Sequence, residues 1–409
     1  MKAIPTGWTV VALDQLVEIL DSRRIPVSAP ERAKRPGAVP YYGASGQVGT
    51  IDRALFDEPL LLLGEDGVQF FDTLKPKAYQ IRGRSWVNNH AHVLRVKTGT
   101  EPALLEHYLN QFDYRGFANG TTRLKLTQVA MRRIPVALPN LEEQRRIVAI
   151  LEEHLSDLDA AGACLKSAGS RAARLRAAEL ERLFGSSGRV SVSLSEVIAG
   201  IAAGKSFGAA DRPALPSEWG IIKVSAMTWG EFRPNENKSV RADRVDPRFE
   251  IRPGDLLVSR ANTSDYVGAS VLVPAGVRPR LLLSDKSLRA TPAPDVNPEW
   301  LWRALQAPSA RHQISALATG TKESMRNISQ DALKSVLVPV AARSDQERRV
   351  AAFLDVESTL GRQGPLIRDL TSRAQSLRRA IFAAAFSGRL TGHGSDTEVI
   401  SELAEEESA

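Results

Sequence analysis

The chain has 409 residues, of which 54 are lysine or arginine and 47 aspartate or glutamate, leaving a net charge of +7. That length makes two to four domains, and a basic balance suits a polyanionic partner. One cysteine, Cys164, excludes an intramolecular disulfide or a thiolate cluster. No run of about 18 apolar residues and no signal pattern occurs, so a cytoplasmic location without membrane is expected.

Residues 5–140 alternate short apolar runs with glycine and proline. Pro59 to Leu63 and Trp86 to Val96 are predicted strands, and Leu13 to Leu20 and Pro102 to Phe112 predicted helices. Glu65-Asp66-Gly67 is a predicted turn. From Glu142 the texture changes, because residues 142–184 lack proline and are rich in Ala, Leu, Glu and Arg. Val148, Leu151, Leu155, Leu158 and Leu165 keep the spacing of a packed helix, on the order of 65 Å long. Gly162 and Gly169 weaken its middle by roughly 1 kcal/mol each.

Residues 187–341 return to the mixed texture, and a second helical block follows. EEQRRIVAIL (142–151) recurs as DQERRVAAFL (345–354), at an offset of 203 that moves the glutamine by one column. RLRAAELERLF (174–184) recurs as SLRRAIFAAAF (376–386) at 202. Ile367, Leu370, Ala374, Leu377, Ile381 and Ala384 alternate steps of three and four, a seam for the first helix. Pro365, with Gly361 and Gly364, should interrupt or kink the second.

The mixed segments correspond too. LDQLVEI from Leu13 matches LSEVIAGI from Leu194 at an offset of 181, and a rival alignment pairs Pro5 and Trp8 with Pro216 and Trp219. NGTTRLKL (119–126) and TGTKESMR (319–326) each precede a helix. The expected architecture is α+β: two mixed modules separated by two long antiparallel, coiled-coil-like helices in a pseudo-two-fold repeat. Its expected parts are residues 1–141, the helix 142–186, residues 187–343, the helix 344–390, and a disordered acidic tail at 391–409. Six acids and no base occupy the last 14 residues.

These residues resemble the specificity subunit of Type I restriction–modification systems. IPVALP with LEEQRRIVAIL (134–151) and RRAIFAAAFSGRLTG (378–392) are similar to that family's helix entry and end. YYGASGQVGTID, LLLGEDG and WVNNHAHVLRV look like one type of target-recognition domain, and GIIKVSAMTWGEF, RPGDLLVSRANT and LLLSDKSLR like another. The resemblance implies that each module reads half of a bipartite double-stranded DNA target. It also implies that the helices dock two methyltransferase subunits, which motor–nuclease subunits join. S-adenosylmethionine, ATP and magnesium then belong to those partners, and this chain is expected to be non-catalytic, with no metal site.

Base readout needs forked polar side chains and phosphates need cations or small donors. The candidates are Tyr41, Tyr42, Asn88, Asn89 and His90 in the first module, and Ser259, Arg260, Asn262, Thr263 and Lys286 in the second. The Gly-Thr loops add Thr121, Thr122, Arg123, Lys125, Thr321, Lys322 and Arg326. In the bland alternative, Asn88, Asn89 and His90 satisfy turn amides and Arg260 and Asn262 are a solvated loop. Arg145/Arg146 and Arg348/Arg349 read as exposed or docking residues.

Two rival classes stay open. GIAAGKS (200–206) lacks one residue of phosphate-loop spacing, yet would give a nucleotide enzyme centred on Gly204 and Lys205. The chain could instead be a stand-alone DNA-binding or scaffold protein. The His90-x-His92 pair lacks nearby ligands for a metal.

Overall fold

The computed structural model describes residues 4–320, 325–391 and 396–406. The chain forms two compact units, Met1–Lys166 with Arg368–Ala409, and Ser167–Ile367. Two 44-residue helices, Leu141–Phe184 and Arg343–Phe386, belong partly to each unit. Gly162 and Gly169 do not break the first, and the second continues through Pro365 rather than being interrupted there. A proline removes one amide donor, and burial at both ends of the second helix, at Phe353 and at Ala380 and Ile381, outweighs that loss. No described helix is long and apolar enough to cross a membrane.

In the first unit, strands Val17–Ile19, Ala91–Val96, Leu60–Gly64 and Ala78–Ile81 form an antiparallel sheet in that spatial order. Successive side chains of a strand face opposite ways. Leu61 and Leu63 therefore enter the main core while Leu60 and Leu62 enter a smaller cluster with Phe56 and Val93. Both faces are covered, so the run shows no polar alternation. In a second sheet Val39–Gly43 lies antiparallel to Gly46–Ile51 and parallel to Arg84–Val87. Thr9–Ala12 pairs with Pro135–Leu138 just before the first long helix.

Two local expectations change. The segment from Leu13 is helical only to Leu16, and β-branched Val17 and Ile19 take it into the sheet. Trp86 to Val96 is two strands in different sheets, with Asn88, Asn89 and His90 at the crossing between them.

Ile147, Val148, Leu151 and Leu155 share the main core with Ala380, Ile381, Ala384 and Ala385. Glu143 bonds Thr391 and Asp159 pairs with Arg378, so the helix segments run antiparallel within this unit. Leu158 and Leu377 pack partly buried on that core, and Leu165 and Ile367 are half-buried. Leu370, assigned to the seam by its spacing, is 38% exposed instead. The acidic tail is not disordered over its described part. Asp396–Glu406 is a helix whose Ile400 is buried, with Val399, Leu403 and Ala404 on the same core.

The second unit repeats this order. Ile198–Ala203, Ser287–Pro292, Leu256–Ser259 and Ser270–Leu272 form the antiparallel sheet. Trp219–Ile222 lies antiparallel to Asn237–Val240 and parallel to Leu281–Leu282, and Ser191–Ser193 pairs with Leu337–Pro339. Trp219 thus opens the middle strand of the second sheet, whereas Trp8 precedes the first ribbon strand, which removes the rival alignment. Antiparallel helix segments again close the core, where Phe184 meets Phe353 edge-on at 5.5 Å and Arg176 pairs with Glu357 at 2.8 Å.

The offset between equivalent elements grows along the chain. It is 181 at Leu13 and Leu194, 196 at Pro102 and Pro298, and 202 at Leu141 and Arg343. The displaced glutamine disappears at 202, where Gln144 corresponds to Gln346 and Leu151 to Phe353. The Gln144 Oε1 accepts from the Glu101 amide at 2.8 Å, and its Nε2 donates to the Pro139 carbonyl at 2.9 Å. Gln346 accepts from the Asn297 amide at 2.7 Å and donates to the Ala341 carbonyl at 2.8 Å. Each buried glutamine thereby ties the start of a long helix to the start of a short one, Pro102–Gln111 or Pro298–Gln306.

Removing one partner from a buried hydrogen bond leaves the other unsatisfied, at about 1–3 kcal/mol. Gln144→Leu is expected to destabilise the first unit by about 2 kcal/mol, and Gln346→Leu the second by as much. Urea denaturation, followed by hydrogen exchange in each unit, measures both; equal losses in both units from either change would contradict the pairing.

Candidate nucleic-acid interface

The same backbone corner occurs once in each unit. In the first, the Glu65 amide donates to the His90 carbonyl at 2.8 Å, and the Leu126 amide to the Glu65 carbonyl at 2.8 Å. In the second, the Arg260 amide donates to the Lys286 carbonyl at 2.8 Å, and the Ile328 amide to the Arg260 carbonyl at 3.0 Å. Glu65 therefore corresponds to Arg260, His90 to Lys286 and Leu126 to Ile328. The loops singled out in the sequence meet at these corners.

A charged network fills the corner of the first unit. Glu65 pairs with Arg24 at 2.8 Å and Lys125 at 2.9 Å; Asp66 pairs with Arg123 at 2.7 Å and faces His90 Nδ1 at 2.9 Å. Buried His92 holds Asp21 through Nδ1 at 2.6 Å and the Leu126 carbonyl through Nε2 at 2.9 Å. Burial raises the Asp21 carboxyl, but the His92 hydrogen bond and charge, the Val93 amide and Arg24 outweigh it and hold it below its ordinary value. At Glu65, burial likewise raises the carboxyl, and Lys125 and Arg24 outweigh it and lower it. The Lys125 ammonium is raised by its hydrogen bond and charge pairing with Glu65.

Asn89, Thr121, Thr122, Arg123 and Lys125 are exposed here, and His90 partly so. Tyr41 is corrected, being 1% exposed, with its hydroxyl donating to the Val27 carbonyl and Arg32 above its ring at 4.6 Å. Tyr42 is half-buried against Tyr79. Asn88 is buried and accepts from the His90 amide at 2.8 Å, the turn role of the bland alternative.

In the second unit Arg260, Thr263 and Lys286 are exposed. Asn262 is half-buried, and its Oδ1 accepts from the Thr263 amide at 2.9 Å. Ser259 is fully buried, so it offers no surface group. Arg326 braces its own loop by donating to the Ala318 and Gly320 carbonyls. Thr321 and Lys322 lie outside the described residues.

Sequence reasoning missed Asp21, Arg24 and the two acids as parts of the site. The abrupt acid pair after four leucines was the available signal for Glu65 and Asp66, while Asp21 lies 71 residues from His92. Trp229 was missed as well, being 56% exposed and 6.2 Å from the exposed Tyr266 ring.

The phosphate-loop alternative loses its geometry, whereas carboxylates do gather at His92, contrary to the expectation that it lacks nearby ligands. In GIAAGKS the Gly204 and Lys205 amides already donate to the Ser287 and Leu283 carbonyls, and no helix opens there to cradle a phosphate. His90 and His92 face different acids. The ligand atoms of Asp21, Glu65 and His92 lie within 4.8 Å of one another, but Arg24 and Lys125 supply the neutralising charge.

Residues 5–161 match the family described as the Type I restriction modification DNA specificity domain. A putative type I restriction enzyme specificity subunit of Haemophilus influenzae is 32% identical over 143 residues, covering 34% of this chain and 35% of the relative. The EcoEI specificity subunit of Escherichia coli is 31% identical over 166 residues, covering 40% and 28%. The chain thus spans about a third of the length of the curated relatives it matches. A chain from a solved structure concerned with assembly and conformational transition of the type I restriction–modification system shares the fold, with a TM-score of 0.68 at 19% identity and coverage of 95% and 100%. The likeness to the Type I restriction modification DNA specificity domain thus rests on residues 5–161 of this chain.

Proposed function

We propose that this chain is the sequence-reading subunit of a Type I restriction–modification complex, each unit recognising one half of a bipartite duplex target. The observation that carries this reading is the corner built twice on one backbone pattern with different side chains. Glu65 and His90 occupy it in one unit, Arg260 and Lys286 in the other, so the two half-sites differ. Forked donors such as Arg260 suit base edges, and exposed cations such as Lys286 suit phosphates.

The two long helices, being shared by both units, serve as the ruler between half-sites. Their exposed apolar residues, Leu175, Leu354, Leu366 and Leu370, support docking of two methyltransferase subunits, which motor–nuclease subunits join. Chemistry then belongs to the partners, which carry S-adenosylmethionine, ATP and magnesium.

Arg260→Ala with Asn262→Ala is expected to relax one half-site only, at about 1–3 kcal/mol per lost base contact. Mapping modified bases in a host carrying the variant measures this, and equal relaxation of both halves contradicts the assignment. Lys286→Ala is expected to weaken binding uniformly across sequences and to reduce the salt slope of the association constant by about one. Titrations of duplex DNA at several salt concentrations measure it.

A further inference from the structure

We infer that Asp66, with Gly67 beside it, is a positioning residue that holds the Arg123 guanidinium ready for a DNA phosphate. The inference rests on the DNA-reading function proposed above. Arg123 sits on the loop before Lys125–Leu126, and its side chain is 60% exposed. A free arginine on such a loop samples many rotamers, and fixing it costs side-chain entropy. Here one terminal nitrogen is already fixed, 2.7 Å from Asp66 Oδ1, while the exposure leaves the rest of the fork open to solvent.

Gly67 completes the seat. Its φ is +74°, a conformation side chains avoid, and a Cβ there would lie 2.6 Å from the same Arg123 nitrogen. The seat is rigid because the Asp66 backbone bridges to Lys125, while Glu65 is bound through its main chain and by Arg24 and Lys125. The Asp66 side chain is only 15% exposed, so it faces Arg123 and His90 more than it faces solvent.

The second unit needs no such holder. At the position of Glu65 stands the cation itself, Arg260, and Ala261 pairs with Asn327 as Asp66 pairs with Lys125. The two units thus bring a guanidinium to equivalent corners from different segments. Among the described residues, the arginine held by an acid comes from a loop, whereas Arg260 directly follows a strand.

Charge alone makes the opposite forecast, since removing an acid from a phosphate-binding face should tighten binding. The sign of the effect therefore decides. The test uses the full-length chain and a mixed-sequence duplex of about 30 base pairs, titrated by fluorescence anisotropy over roughly 50–200 mM salt. Arg123→Gln is expected to weaken binding about three- to fivefold and flatten the salt slope by about one. Asp66→Asn should do the same although the protein becomes more positive, and the double variant should be no weaker than Arg123→Gln alone. Asp66→Ser runs in parallel with thermal melts, so that a folding defect in one variant does not decide the outcome. Binding by either Asp66 variant as tight as the parent, an unchanged slope, or additive losses in the double variant would overturn the inference. If Arg123→Gln changes neither affinity nor slope, the DNA reading of this loop falls, and the positioning role with it.

Discussion

Neither unit closes its core with one contiguous stretch of helix, and that constraint governs the rest. The first buries Leu151 and Leu155 only by taking in Ala380, Ile381 and Ala384 from far along the chain. The second needs Leu180 and Phe184 on one side and Val350 and Phe353 on the other. Each fully buried side chain of this kind contributes about 1.5–3 kcal/mol. The long helices are therefore structural members of both units before they are anything else. The buried glutamines Gln144 and Gln346 fix where each helix begins against its sheet.

Main-chain hydrogen bonds make the corner at Glu65 and its counterpart at Arg260, and this separates framework from content. An amide and a carbonyl bond alike whether the side chain is acidic or basic. The surface can then change sign without disturbing the sheet, as it has between the two units.

Much of this was legible from spacing. The first helix follows from the 3–4 stripe and the lack of proline in 142–184; both helices start within one residue of expectation, but the second ends at Phe386 rather than at residue 390. The arginine pairs align at an offset of 203, whereas burial of Val350 and Phe353 sets the register at 202. The acidic tail was misread because composition hides periodicity: Val399, Ile400 and Leu403 lie three and four apart on one face. Tyr41 beside a glycine turn looked available, and no local signal says that Arg32 and Val27 cover it. Nor does the sequence join Asp66 to Arg123, since their contact exists only once the sheet brings the two loops together.

The division into units also bears on how the chain is made. Residues 167–367 are continuous, while the first unit lacks its last core helix until residues beyond Ala380 emerge from the ribosome. At typical elongation rates, some 200 further residues take roughly 10–40 s. The unit translated later can thus close first, and the earlier one waits with an open apolar face, the interval in which a chaperone would matter most.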